Sequence, residues 1–134
     1  MKLNLTSAIA AGLMAALLVG CGGGFPRESA NTRVAADTFD EHGWQGRIAL
    51  TFEDGKIKSV VFDEFDKGGR AKTRDAAYAR QMEPASGTTP ARVAAELQQR
   101  LVAAQDPQQV QAVTGATTTS DRFKKLAREA VARR

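Results

Sequence analysis

"GRIALTFEDGKIKSVVFDEF", residues 46–65, decides the fold. Two runs rich in apolar residues flank Asp54-Gly55. That dipeptide suits a two-residue hairpin turn, because glycine takes positive φ at no steric cost. Pairing outward sets Phe52 opposite Ile57, Leu50 opposite Ser59 and Ile48 opposite Val61 on one face. The other face has Thr51 with Lys58 and Ala49 with Val60. Both faces carry apolar side chains, which predicts a hairpin placed centrally in a sheet. A flanking strand is expected around Arg33–Phe39.

Beyond the hairpin the period changes. "DKGGRAKTRD", residues 66–75, reads as a wet loop, since glycines break regular structure and charges keep it solvated. A short helix is expected over 74–82, with Thr73 as its N-cap and Tyr78 and Met82 four apart on one face. Thr89 and Pro90 open a second helix over 90–104, where Val93, Leu97 and Leu101 recur every four residues. Pro107 stops it. "QQVQAV", residues 108–113, is weakly β-like. Phe123, Leu126, Ala127, Ala130 and Val131 then follow helical spacing, predicting a helix over 120–132 with Ser120 as cap and Asp121 in its first turn. The fold class implied is α+β: an antiparallel sheet built around a central hairpin, packed with about three helices.

"MKLNLTSAIAAGLMAALLVGC" opens the chain with Lys2 and an apolar run from Ala8 to Val19, broken by Gly12. The run is short for a bilayer span and fits a secretory h-region. "LLVGC" resembles the lipobox of bacterial lipoproteins, in which a signal peptidase cuts before the cysteine that carries the lipid. The resemblance implies a signal peptide over 1–20, lipidated (palmitate-type) Cys21 with a flexible tether through residue 31, and a domain over 32–134. The alternative is an ordinary signal peptide with an incidental cysteine. Cys21 is the only cysteine, so no internal disulfide can form, and an exported free thiol is a liability that a thioether removes. Multi-acyl anchoring holds a protein on a membrane without a spanning helix. The location implied is the periplasmic side of the cell envelope. Gly22, where a retention-type Asp is absent, leans towards the outer membrane by analogy.

One of the 19 Lys and Arg residues, Lys2, lies in that leader, so the rest carries 18 against 15 acids, a net of +3. With no basic run interleaved with aromatics, no nucleic-acid partner is expected. Arg128, Arg133 and Arg134 suit a solvated helix C-terminus. His42 is the only histidine and has no cysteine partner, so no metal site is expected. Asp63, Glu64 and Asp66 read as a solvated strand end rather than a paired-carboxylate centre. There is no Gly-x-Ser-x-Gly, Cys-His pair or Walker-type loop, and no catalytic residue is assigned.

"AVTGATTTSDRF", residues 112–123, concentrates hydroxyls at a helix start. Unpaired amide hydrogens and the dipole make such a place an anion site, and Gly115 and Ala116 keep bulk away. A phosphate or anion pocket near 114–121 is one reading; a Ser/Thr-rich capping turn without a ligand is the other.

"VTGATTTS" looks like the [Ser/Thr]-Gly-Ala-Thr signature of FMN-binding domain proteins. That family includes the flavin-carrying subunits of Na+-translocating quinone reductase and Rnf-type complexes, and small membrane-anchored electron-transfer lipoproteins. "GWQGRIALTFEDGKIKSVVFDEFDKGGRAKTRDAAYARQM", residues 43–82, resembles the family's hairpin, glycine loop and Tyr-xxx-Met helix. The resemblance spans roughly residues 32–131. It implies FMN joined through its phosphate to Thr117 by a separate flavin transferase. Thr114, Gly115, Ala116 and Thr118 would line the attachment point. Lys72 matches the family's Gly-x-x-Lys-Ser/Thr and implies a cation near the phosphate or the reduced flavin. Tyr78 is a candidate to stack on the ring, the alternative being a core place on its helix, and Trp44 is a candidate contact whose alternative is packing over the sheet edge. The partners implied are the transferase and envelope redox donor and acceptor proteins, which suits an electron carrier more than a self-contained enzyme. One position departs: the usual pattern has Asp three residues before the Ser/Thr, and here it is Gln111. The alternatives are therefore a non-covalent FMN carrier, or a structural envelope lipoprotein that has lost flavin.

Overall fold

The computed structural model describes residues 24–134, so the leader and Cys21 lie outside the described residues. Asp54 (φ 53°) and Gly55 (φ 78°) are both left-handed, as the tight hairpin turn requires. The turn joins β2 (Gln45–Glu53) to β3 (Lys56–Phe65), and β1 (Thr32–Ala36) lies on the other side of β2. The sheet is antiparallel in the order β1-β2-β3, so β2 alone is central.

The register departs from simple outward pairing. Phe52 faces Ile57 as expected, but a bulge follows between Thr51 and Phe52. Beyond it Thr51 pairs with Ser59, Leu50 with Val60 and Ile48 with Phe62. One extra residue on β3 flips its side-chain parity. Ile57, Val60 and Phe62 thereby all reach the core, at 2, 7 and 3 % exposure. Unbulged pairing would have turned Ser59 and Val61 inward instead.

β3 is an edge strand, and glutamines occupy its free backbone groups. The Ile57 N–H donates to Gln105 Oε1 (2.8 Å), Gln105 Nε2 donates to the Ile57 carbonyl (2.9 Å), and the Phe62 N–H donates to Gln98 Oε1 (2.8 Å). An edge covered in this way offers little to a foreign strand.

Among the described residues three α-helices pack with the sheet: α1 (Ala76–Ser86), α2 (Pro90–Ala104) and α3 (Thr117–Ala132). α2 packs on β3, while α3 packs on β1 and β2. Val93, Leu97 and Leu101 of α2 and Phe123, Leu126, Ala127 and Ala130 of α3 are buried in one cluster with Ile48, Leu50 and Phe62. Val131 packs only partly against it.

Thr89 caps α2, accepting from the Arg92 N–H. α1 starts later than its sequence suggests, because Asp75, not Thr73, accepts the Tyr78 N–H (3.0 Å). Thr73 instead donates its amide and hydroxyl hydrogens to Asp63. α1 buries no residue fully and continues through Pro84 to Gly87, whose left-handed φ of 78° ends it. Residues 108–113 form no strand. A 3-10 turn (Pro107–Gln109) capped by Asp106 leads into an arm whose Val110 and Val113 are buried.

Candidate functional site

Ser120 is not the cap of α3. The helix begins at Thr117, its N-cap is Ala116, and no side chain caps it. Ser120 lies inside the helix, fully buried, donating to the Ala116 carbonyl (2.7 Å) and accepting the Val113 N–H (3.0 Å). Its hydroxyl thus fastens the incoming arm to the first turn. The Ser120 N–H bonds the Ala116 carbonyl, closing that turn. The amide hydrogens of Thr117, Thr118 and Thr119 precede it and have no acceptor within the helix. Thr114, Thr117 and Thr118 are exposed, and their hydroxyls take no protein partner among the described residues.

Gly115 has φ 88°, and a Cβ there would stand 2.4 Å from the backbone oxygen of Ser86. The turn therefore presses on the end of α1. Thr88, two residues past Ser86, holds a buried hydroxyl oxygen with no partner. Ala116 is buried in the core, so only its backbone can meet a ligand. Gly115→Ala should cost about 1–3 kcal/mol, from a left-handed non-glycine residue and the collision with Ser86. An unchanged urea midpoint would show that the turn relaxes freely.

A buried charge network backs this helix start. Thr119 donates to Glu64 Oε1 (3.2 Å), which also accepts from Lys72 Nζ (3.1 Å). Arg122 binds Glu64, Asp37 (2.8 Å) and Asp40 (3.0 Å), and reaches the Trp44 carbonyl (3.4 Å). Glu64 is only 4 % exposed, which corrects the solvated strand end expected there. Lys72 is 8 % exposed, with Nζ 4.8 Å from the ring centroids of both Trp44 and Tyr78. Those rings meet edge to face at 5.8 Å. Its ammonium is thus committed to Glu64 and two aromatic faces.

Glu64, Lys72, Tyr78, Met82 and Thr119 line a cleft of about 30 Å³. That is room for about two waters, so a ring-sized ligand would lie across the mouth of this cleft rather than within it. The structure thus links Lys72 and Tyr78, through Glu64 and Thr119, to the helix start that follows Thr114 and Gly115. A groove of about 880 Å³ lies on the other side of the sheet and contains none of the hydroxyl cluster. The smaller cleft is the chemically relevant one.

Burial disfavours the charged form of Asp40, but the amide hydrogens of Trp44 and His42 and the guanidinium of Arg122 outweigh it. Its carboxyl is held below the ordinary carboxylate range. Burial likewise opposes the charge of Arg122, yet the bond to Glu64 and the charges of Asp37 and Glu64 hold its pKa above the ordinary value. A depressed carboxyl stabilises the fold fully above the unfolded value of about 3.9 and loses that contribution as pH falls through the folded value. Asp40→Asn should therefore reduce the loss of unfolding free energy between about pH 6 and about pH 3. Equal slopes in urea titrations of the two proteins would show that Asp40 is not part of the acid response.

Arg122, Glu64, Asp37 and Asp40 escaped the sequence reading as site residues. Thr119 and Arg122 are three apart and share a helix face, a legible signal. The acids that meet them come from β3 and the loop after β1, which local spacing cannot reveal. His42 is exposed in a turn with its side chain beside Glu41, as its surroundings suggest.

The sequence profile of the FMN-binding domain matches residues 43–132. The chain belongs to the FMN-binding domain family. It is 41% identical to the 15 kDa lipoprotein of Treponema pallidum (strain Nichols) over 96 residues, covering 72% of this chain and 68% of that protein. Its fold is similar to the crystal structure of the CPE2226 protein from Clostridium perfringens, with a TM-score of 0.74 and 29% identity, over 76% of this chain and 84% of that one. A solution structure from Clostridium thermocellum aligns with a TM-score of 0.53 and 27% identity, over 77% and 89% of the two chains. Among the described residues, no helix is long and apolar enough to cross a membrane.

The residues of this FMN-binding domain fit a flavin phosphate. Its oxygens need donors, and the uncapped start of α3 offers three amide hydrogens beside unpartnered threonine hydroxyls. The glycine cradle at 115 keeps the approach open.

Proposed function

We propose that this protein is a lipid-anchored flavoprotein of the bacterial cell envelope. It carries FMN as a phosphate ester on Thr117 and relays electrons between partner proteins. The observation that carries the reading is the uncapped first turn of α3, where Ala116 stands in place of a capping side chain and Thr117 is the first helical residue. A fold needing only stability would place Ser, Thr, Asp or Asn there, a gain of about 1 kcal/mol. Amide hydrogens left without a cap are available to a phosphate.

When bound, FMN supplies the redox chemistry of its ring system. Thr117 Oγ1 would carry the group, and the hydroxyls of Thr114 and Thr118 with the first amide hydrogens would hold the phosphate. Lys72, ion-paired with Glu64 between Trp44 and Tyr78, would stand with those two rings at the ring end. Attachment needs a flavin dinucleotide as donor. The Thr117 oxygen forms the new bond to phosphorus while the donor's pyrophosphate linkage breaks. A nucleoside monophosphate leaves with the electron pair, and the hydroxyl proton passes to a base. Threonine is a weak nucleophile, and among the described residues no side chain bonds the Thr117 hydroxyl to act as its base, so the base belongs to a transferase.

Gln111 favours a second reading, a carrier that binds FMN reversibly. It replaces the acid usual three residues before Thr114.

The full chain, co-expressed with a flavin transferase and recovered from membranes, should keep its visible flavin absorbance after denaturation. Flavin lost on denaturation would move the reading to the reversible carrier, and no flavin in either state would end both. Cys21→Ser should release the domain into the soluble envelope fraction. Retention at wild-type levels would place the anchor elsewhere.

A further inference from the structure

The sheet has two unlike faces. α2 and α3 cover one; on the other, which carries Val34, Arg47, Ala49, Val61, Asp63 and Phe65, only the start of α1 and the turn before it border the sheet among the described residues. The groove of about 880 Å³ runs along this second face, lined by Arg47, Val61, Phe65, Arg70 and Arg74 and closed at one end by Phe25 and Pro26. The segment leading to the domain is therefore not free where it arrives. Phe25 meets Phe65 edge to face at 5.7 Å, the Val34 N–H donates to Glu28 (2.6 Å), and Arg33 donates to the Ser29 carbonyl (2.8 Å). Arg133 pairs with Glu28 (3.2 Å) and ties the segment to the end of α3.

We propose that this open sheet face lies on the headgroup layer of the membrane that holds Cys21, which turns the hydroxyl cluster away from the membrane. The proposal rests on the lipid anchor argued above. Cys21 precedes Phe25 by four residues, a reach of at most about 14 Å even fully extended. A domain of about 100 residues has a radius of gyration of about 13 Å, so its diameter exceeds that leash. The domain cannot roll over to present α2 and α3 to the lipid while Phe25 stays docked. Headgroup phosphates then meet guanidinium groups. Arg47 stacks on Phe65 at 4.5 Å, and Arg74 makes no ion pair among the described residues. Asp63 and Asp75 also line the groove and keep their charge, bonded by Thr73 and the Tyr78 N–H, and Arg70 pairs with Asp66 (3.1 Å), but the three arginines outnumber the two lining acids. Thr119 and Lys72 meet Glu64, which points to the helix-covered side, whereas Asp63, paired with Arg47, stands on the opposite face of β3 and borders both the groove and the cleft. Partner proteins thus approach the flavin end from the aqueous side.

Position-specific quenching tests the orientation. Lipidated Cys21 leaves no free thiol, so Val61→Cys or Ser59→Cys on the open face, and Val102→Cys on α2, each introduce one. Each full-length variant is labelled with an environment-sensitive fluorophore and placed in phosphatidylethanolamine–phosphatidylglycerol vesicles containing a headgroup spin-labelled lipid. Quenching should be several-fold stronger at 59 and 61 than at 102. Adding Arg70→Gln and Arg74→Gln should reduce it at 61 while the protein stays on the vesicles. Equal quenching at all positions, or stronger quenching at 102, would overturn the orientation, and indifference to the arginine changes would overturn the headgroup contact. Intact mass separates the premise from the proposal: chains without lipid on Cys21 overturn the anchor, whereas lipidated chains with equal quenching overturn only the orientation.

Discussion

Phe123→Ala should lower the unfolding free energy by about 3–5 kcal/mol. The ring is fully buried and meets Phe62 edge to face at 5.2 Å, so it joins α3 to the sheet directly. Truncation removes apolar contact, leaves a cavity, and forfeits an aromatic pair worth about 0.5–1.5 kcal/mol. The cavity cannot collapse cheaply. Its surroundings belong to one cluster spread over β2, β3, α2 and α3, whose backbones are held by separate hydrogen-bond ladders. Domains of this size are stable by about 5–15 kcal/mol, so the variant should be close to unfolded at modest urea concentrations. Phe123→Leu keeps most of the volume and should lose much less. A loss near the 0.5 kcal/mol or so typical of surface changes would place the ring outside the core.

Local chemistry made the hairpin and the helices legible. Asp54-Gly55 and the every-fourth-residue spacing of Val93, Leu97 and Leu101 are signals contained within a few residues, and each matches the structure. The bulge after Phe52 was not legible, because Lys58 and Ser59 read alike until the tertiary core selects Val60 and Phe62 over Val61. Caps failed where two candidates stood close together. Thr73 and Asp75 are both capping residue types, and the choice between them fell to Asp63, a partner ten residues away from Thr73 that claims its hydroxyl. Ser120 failed for a related reason, since the arm at Val113 recruits it as an acceptor.

The candidate site divides along the same line. Thr114, Gly115, Thr117 and Thr118 are contiguous, so their shared place at a helix start could be read directly. Lys72 and Tyr78 came from resemblance, and the structure brings them into one network with Thr119 through Glu64. Arg122 joins residues 82 and 85 positions away in sequence, and no local pattern carries such information. The uncapped first turn of α3 is one of the two readings the hydroxyl cluster allows, and composition alone could not choose it over a Ser/Thr cap.

Thr117→Val should abolish covalent flavin incorporation. Valine matches threonine closely in shape and removes the one oxygen to which phosphorus can bond. Thr117 is exposed, its hydroxyl takes no protein partner, and the two residues have similar helix propensities, so the domain should fold with nearly unchanged stability. The wild-type chain, incubated with transferase and a flavin dinucleotide, should gain the mass of FMN less one water. FMN alone should add nothing, because FMN lacks an activated leaving group. Thr118→Val should leave the gain largely intact. Thr119→Val should do so too while costing about 1 kcal/mol of stability, since it removes the hydrogen bond to Glu64. Gln111→Asp restores the acid usual in the family and should speed incorporation wherever the wild type is slow. A full mass gain in Thr117→Val would refute the attachment point, and a gain lost equally in Thr118→Val would show that the phosphate contacts, not the nucleophile, limit the reaction.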